Sequence, residues 1–132
     1  MNLEIVTPRK VIKENDVDFV SMMSTEGSLG ILEGHMPLLT ELEIAPLYYS
    51  KGQTKEFIAV MGGVVRVLSG EVTVLTEDAE RATEIDVLKA RKEKEAAEAY
   101  LTKKAETIDM LKVEIQLRRA LVRLKVAGES GR

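Results

Sequence analysis

EVTVLTEDAERATEIDVLKA, residues 71–90, begins as one kind of chain and ends as another. Its first four residues alternate polar and apolar, the period-two pattern of a half-buried strand. Just upstream, VVRVLSGEVTVL at 64–75 sets Ser69-Gly70 between two alternating runs, the signal of a hairpin turn. From Asp78 to Val126 there is neither glycine nor proline, and Ala, Glu, Lys, Arg and Leu dominate, which is helix composition. The chain therefore passes from strand to helix near Thr76.

Upstream of that switch, LEIVT, DVDFVSMM, LYYS and EFIAVMGG are short and rich in Val, Ile and aromatic residues. Pro8, Gly27, Gly34, Pro46, Gly52, Gly62, Gly63 and Gly70 punctuate them. Many short strands with regular turns predict a β-sandwich or small barrel. Downstream, the composition predicts two helices over 86–104 and 108–126, folded as a hairpin. Thr107 or Asp109 caps the second, and GESGR forms a frayed tail. The fold class is an all-β N-terminal sandwich over residues 1–84, followed by a C-terminal α-helical hairpin over 85–132.

The second helix carries two apolar stripes. Val113, Leu117, Ala120, Leu121 and Leu124 form one, and Ile108, Leu111, Ile115, Val122 and Val126 the other. They read either as one wide buried face or as two contact surfaces, the second serving an alternative docking position. The first helix offers mainly Ala90, Ala96, Ala97 and Ala99, with Leu88 and Leu101. Its packing surface is shallow, which predicts a hairpin that is marginal alone and able to move.

Composition narrows the function. Hydrophobic residues make up 45% of the 132, enough for a packed core. Cysteine is absent, which excludes disulfides and thiolate metal sites and fits a reducing compartment. No run of about 18 apolar residues occurs, so no span crosses a membrane. MNLEIVTPRK has no signal-peptide core. A membrane role is therefore expected only through partners. Residues 1–84 hold 7 basic and 14 acidic side chains, and residues 85–132 hold 12 basic and 8 acidic. This split predicts two parts that meet different surfaces. Only Tyr100 in the basic part is aromatic, so nucleic-acid stacking has little to use and no nucleic-acid partner is expected.

Two stretches invite a chemical reading. GSLGILEGHMPLLTELE, residues 27–43, gathers three glycines, the single histidine and Pro37. One His without Cys or an obvious nucleophile cannot build a triad or zinc cluster, and no phosphate-loop or nucleophile-elbow motif occurs. We expect no catalytic residues and no metal here, and the stretch reads as a structural corner or a partner-contact loop. The second constellation is Glu80, Asp86 and Lys89 with Arg118, Arg119 and Arg123, which converge if the helices fold back. Two guanidiniums one helical turn apart suit a polyphosphate, and a carboxylate suits a ribose hydroxyl. The same residues also read as a solvated charged face.

Four blocks in order, GSLGILEGHMPLLT at 27–40, EFIAVMGG at 56–63, EVTVLTEDAERA at 71–82 and RALVRLKVA at 119–127, resemble the epsilon subunit of bacterial F-type ATP synthase. The resemblance spans nearly the whole chain. It implies about ten strands in the sandwich and a non-catalytic central-stalk subunit of a proton-translocating synthase. Such a subunit couples ring rotation to ATP synthesis and restrains ATP hydrolysis through mobile C-terminal helices. Implied partners are the gamma subunit, the c-subunit ring, and the beta and alpha subunits when the helices extend. The implied location is the cytoplasmic face of the cell membrane, peripheral, held through the complex.

The resemblance also implies residue roles. Ser28, Leu29, Gly30, Ile31, Glu33 and His35 fall in the segment that meets the c ring and gamma. Glu33 stands where the family usually has proline, which loosens the loop and adds a charge facing the ring. Lys112, Arg118, Arg119, Arg123 and Lys125 fall on the inhibitory helix. Some members bind ATP on the folded hairpin, which makes an ATP-sensing module the alternative function. The matching positions here are Glu80, Ile85, Asp86, Lys89, Ala90, Arg119 and Arg123. Lys89 replaces an arginine, and Ala96 replaces a second. No cofactor is required on this reading, and Mg-ATP is expected only as a weak regulatory ligand.

Overall fold

The structure is a computed structural model that describes the backbone of residues 1–103 and 107–130 and the side chains of 1–103 and 109–128. Eight strands come first: β1 (Asn2–Val6), β2 (Val11–Glu14), β3 (Phe19–Ser24), β4 (Gly27–Leu32), β5 (Leu38–Lys51), β6 (Thr54–Leu68), β7 (Glu71–Leu75) and β8 (Ala79–Arg81). A single 3-10 turn, Ala82–Glu84, leads to α1 (Val87–Thr102) and α2 (Thr107–Ser130). The strand order is β2-β1-β7-β6-β5-β3-β4, with β8 on β6.

The strands number eight rather than the ten implied, because β5 and β6 each pass through both layers. They hold one register from Leu38↔Val67 to Lys51↔Thr54, interrupted only at Glu43 and Gly62. There β6 changes neighbours, pairing with β8 through 58–60 and with β7 through 64–68. Counted by layer, each half of β5 and β6 is a strand, and each layer has five. The bend falls on Gly62 and Gly63, at φ +77° and +108°, a region that disfavours any side chain. Between Ser21 and Ser24 the β3–β5 pairing shifts register, and Pro46 lies in the β5 segment this leaves unpaired to β3, where its missing N–H costs nothing. Ser69 and Gly70 both have positive φ, as a two-residue hairpin turn requires.

Alternation places the core. Leu3, Ile5, Val65, Val67, Val72 and Val74 from one layer meet Val20, Met22, Ile31, Leu47, Tyr49, Ile58 and Val60 from the other. Residues 58–62 are buried without a break because both faces of β6 are covered there. Ile58 and Val60 point into the sandwich, while Ala59 and Met61 point outward to a second cluster with Ile85, Val122 and Val126. Thus α2 lies on the outer face of β5 and β6, and α1 packs on α2.

This arrangement settles the two stripes. Val122 and Val126 press on the sandwich. Val113 and Leu124 line clefts against α1, and Ala90, Ala97 and Ala120 are buried. Two surfaces are covered at once, so one wide face is not needed. The sandwich stripe outruns its support, leaving Leu111 65% and Ile115 38% exposed. The helix break arrives earlier than predicted, since α1 ends at Thr102, capped at Lys103. The Thr107 and Ile108 side chains lie outside the described residues. α2 continues to Ser130, so the predicted tail is helical that far.

A charged cluster ties the sandwich to the start of the hairpin. Arg81 donates from Nη2 to Glu14 at 2.6 Å and from Nη1 to the Tyr49 hydroxyl at 3.1 Å. Glu84 accepts from the Arg81 backbone N–H at 2.8 Å and from Lys10 at 3.2 Å. Burial acts to raise the Glu14 pKa, but Arg81 and Tyr49 outweigh it and hold the carboxyl below its ordinary range. The backbone N–H of Arg81 does the same for Glu84, with burial opposing and Lys10 helping. Both pKa values fall on folding, so this stability is complete above about pH 4.3 and is lost as the pH drops through the folded values. The melting temperature is expected to be flat from neutral pH to about pH 5 and to fall below about pH 4. Glu14→Gln should make that acid limb shallower, which thermal unfolding at a series of pH values would check.

Candidate functional site

Three surfaces carry the predicted site residues. The first is the sandwich end around His35. Residues 27–40 are not one loop: Gly27–Leu32 is a strand, 33–37 is a corner, and Leu38 opens β5. The His35 backbone N–H donates to Leu32 O at 3.1 Å, closing the corner, and its Nδ1 donates to the Met36 carbonyl at 2.6 Å. His35 is a corner residue. Gly34 at φ +82° supplies the left-handed step.

The predicted contact residues do not form one patch here. Ile31 is fully buried in the core and Leu29 packs against it, so neither is free to face a partner broadly. Ser28 pairs with Met23, about 16 Å along the strand from Glu33. Gly30 lies over the Phe19 ring. The Glu33 carboxylate accepts from the α-amino group of Met1 at 3.1 Å, so its added charge is partly matched within the chain. What stands out instead is apolar: Leu32, Met36 and Leu39 are 61%, 76% and 71% exposed. Leu68, on the hairpin beside Glu33, is also exposed. The alternation of β4 carried the signal, since Ile31 inward requires Leu32 outward.

The second surface is the row of arginines on α2. Arg118 Nη1 lies 3.7 Å from Glu43 of β5, and Arg119 Nη2 donates to Glu77 at 2.8 Å. Arg123 Nε donates to Glu80 of β8, and its Nη2 reaches Asp78 at 3.4 Å. Burial disfavours the Arg123 charge, but Glu80 more than offsets this and raises its pKa. Lys112 and Lys125 face solvent.

The third comprises two clefts beside these arginines. One, of about 320 Å³, brings Glu80, Asp86, Lys89 and Arg123 together with Arg9, Asp78 and Glu93. Of the six residues predicted to converge, Glu80, Asp86, Lys89 and Arg123 meet here, while Arg118 and Arg119 do not line this cleft, and its four carboxylates facing three cations disfavour a polyphosphate. Asp86 caps α1, accepting from the Lys89 N–H at 3.0 Å. Ile85 belongs to the sandwich–helix contact and Ala90 is buried, so neither lines this cleft. The other cleft, of about 520 Å³, lies between the helices and is lined by Ala96, Ala97, Tyr100, Gln116, Arg119 and Arg123, among others.

The known-family pattern described as ATP synthase, Delta/Epsilon chain, beta-sandwich domain matches residues 1–82, and the companion long alpha-helix domain matches 83–128. The chain belongs to the ATP synthase delta/epsilon chain family. An ATP synthase epsilon chain from Halalkalibacterium halodurans is 45% identical, over 97% of this chain and 97% of that one. Another, from Nitratidesulfovibrio vulgaris, is 41% identical over 98% and 97%. Among solved structures, a chain of the Euglena gracilis mitochondrial ATP synthase, described as OSCP/F1/c-ring in rotational state 1, superposes with a TM-score of 0.80. It is 26% identical and covers 95% of this chain and 79% of its own. As a delta/epsilon family member, the chain is a non-catalytic stalk subunit of the ATP synthase complex.

Proposed function

We propose that this family member sits in the central stalk of a proton-translocating ATP synthase at the cytoplasmic face of the cell membrane, transmits rotation, and restrains ATP hydrolysis through its helices. Among the described residues no helix is long and apolar enough to cross a membrane, which supports attachment through partners. The sandwich end, with Leu32, Met36 and Leu39, rests on the c ring, and the sandwich binds gamma. Replacing those three residues together by serine should lower proton-driven ATP synthesis severalfold with the sandwich still folded. Synthesis at the normal rate in reconstituted membranes would count against this contact.

The observation that carries the regulatory reading is the modest interface of α2. Two buried valines and a charged rim hold a 24-residue helix to the sandwich, so the hairpin is separable. Extended, Arg118, Arg119, Arg123, Lys112 and Lys125 meet acidic surface on the beta and alpha subunits. Replacing Arg118, Arg119 and Arg123 together by glutamine should raise hydrolysis by the assembled enzyme severalfold. Unchanged hydrolysis would sink the reading.

A second reading, ATP sensing, rests on the cleft that gathers Glu80, Asp86, Lys89 and Arg123. Its excess of carboxylates and the alanine at 96 point to weak affinity. Calorimetry with Mg-ATP should show no binding tighter than about 1 mM. A micromolar dissociation constant would make the hairpin an ATP-gated latch.

A further inference from the structure

One outer face of the sandwich has no cover from this chain. α2 lies on β5, β6 and the 3-10 turn, and neither helix packs on β1, β2 or β7 among the described residues. The strand register lays the outward side chains of that layer in rows. Val11, Val6, Leu75 and Val64 stand side by side across β2, β1, β7 and β6, and Glu41 of β5 ends the row. The next row runs Lys13, Glu4, Thr73, Arg66 and Leu39, and a third holds Asn2, Glu71 and Leu68. An antiparallel sheet face left in water carries polar residues. Here Val11 is 51% and Leu75 50% exposed, and Leu39 and Leu68 stand out on the same face. Apolar side chains joined across four strands mark a surface for a partner.

The face is complementary to itself. A two-fold axis along β7 stacks two copies of the sheet face to face. Leu75 then meets Leu75, and Val6 of one copy meets Val64 of the other. Glu4 and Arg66 sit one strand to either side of Thr73, so each Glu4 falls on the other copy's Arg66. Lys13 falls over Leu39, with Glu41 two residues along that strand and within reach of a lysine. An axis along the row of charges would instead set each charge against itself. Arg66 and Glu41 make no ion pair within the chain among the described residues, and Lys13 has only a surface contact of 3.6 Å to Glu4. Glu71 alone meets its own copy, at the edge, where water and salt screen the repulsion.

We propose that this face pairs with a second copy of the chain, giving a two-fold, sheet-on-sheet dimer of the unassembled protein. Strands about 4.8 Å apart and rows about 7 Å apart present roughly a few hundred Å², less than the roughly 800 Å² per partner of a standard interface, so the dimer is weak. Pairing covers Leu39, which the stalk reading gives to the c ring, so a paired copy cannot take that seat. The dimer shields an apolar face until assembly. This consequence rests on the stalk reading, whereas the pairing does not.

Sedimentation equilibrium of the isolated full chain should show monomer and dimer with a dissociation constant of about 10–100 μM. Leu75→Asp and Arg66→Glu should each weaken the dimer at least about tenfold, with the melting temperature nearly unchanged. Adding Glu4→Arg to Arg66→Glu should restore it. The chain has no cysteine, so Thr73→Cys supplies a single thiol at the centre of the face. A short bis-maleimide should join two copies through it, and not through Gln53→Cys on the turn between β5 and β6. A chain that stays monomeric up to about 1 mM, a dimer indifferent to Leu75→Asp or Arg66→Glu, no recovery with Glu4→Arg, or linkage through Gln53→Cys in place of Thr73→Cys would overturn the pairing. If the dimer forms, yet copies linked through Thr73→Cys still support ATP synthesis on reconstitution, the pairing stands and the ring contact of Leu39 fails.

Discussion

Gly63→Ala is expected to be the most damaging single change in this chain. A Cβ at Gly63 would stand 1.9 Å from the Leu75 carbonyl oxygen and 2.9 Å from its carbon. These are backbone atoms of the neighbouring strand, so no side chain can rotate away. The residue also holds φ +108°, which a side chain strains in any surroundings. Strain of about 1–2 kcal/mol adds to an overpacking cost of about 1–3 kcal/mol or more. A total of roughly 2–5 kcal/mol is a large share of ordinary domain stability. For a sandwich of this size the melting temperature should fall by roughly 15–30 °C. Gly62→Ala is the internal control. Its φ is also positive, but the nearest atom is 3.6 Å away, so only the strain remains. Thermal unfolding of the two variants side by side tests this, and equal losses would show that the contact with Leu75 is not what matters.

Val126→Asp is expected to have the largest effect on the helices. Val126 is fully buried against Ala59 and Met61. An unpaired carboxylate there would cost several kcal/mol. Burial of Val122 and Val126 together contributes only about 3–6 kcal/mol. The helix should therefore leave the surface rather than bury the charge. Hydrogen exchange should show the amides of α2 losing protection, while β1 and β7 in the sandwich core keep theirs. In the assembled enzyme the open hairpin should deepen the restraint on hydrolysis. Leu121→Asp, at an exposed position on the same helix, should leave protection nearly unchanged. Loss of sandwich protection in Val126→Asp would mean that the two parts unfold as one.

Apart from β8, which lies inside the stretch of helix composition, the strands and helices were legible because their periods differ and because neither glycine nor proline occurs between Gly70 and Gly128. What the sequence concealed was long-range. Whether β5 and β6 run unbroken depends on Gly62 and Gly63 bending without ending the strand, and a glycine pair reads equally well as a turn. Pro46 looked like punctuation, yet it sits inside β5 where one edge has no partner. The uninterrupted apolar run through Ile58, Ala59, Val60 and Met61 held the clue that a helix covers the sheet, since burial on both faces needs a second cover. At the site, the cleft around Asp86, Lys89 and Arg123 was foreseeable from helix geometry. The grip of Glu43, Glu77 and Asp78 on the arginines was not, because no spacing rule links residue 43 to residue 118. Leu32, Met36 and Leu39 escaped notice for another reason: a leucine beside a glycine-rich corner reads as core until its neighbour Ile31 is seen to take the inward place.

The pairing of β1 with β7 has a consequence for how the molecule comes into being. Asn2 lies opposite Glu71 and Val6 opposite Leu75, in the only parallel pairing among the described strands. The first strand thus waits for its central neighbour until some seventy residues have been made. A ribosome adding about 5–20 residues each second holds that edge open for several seconds. Such distant pairing makes the sandwich the slow step, while the helices form from neighbours and can close within microseconds to milliseconds. During synthesis, then, the slow-folding part is the one that emerges first, and the swift hairpin finds its sheet already under construction.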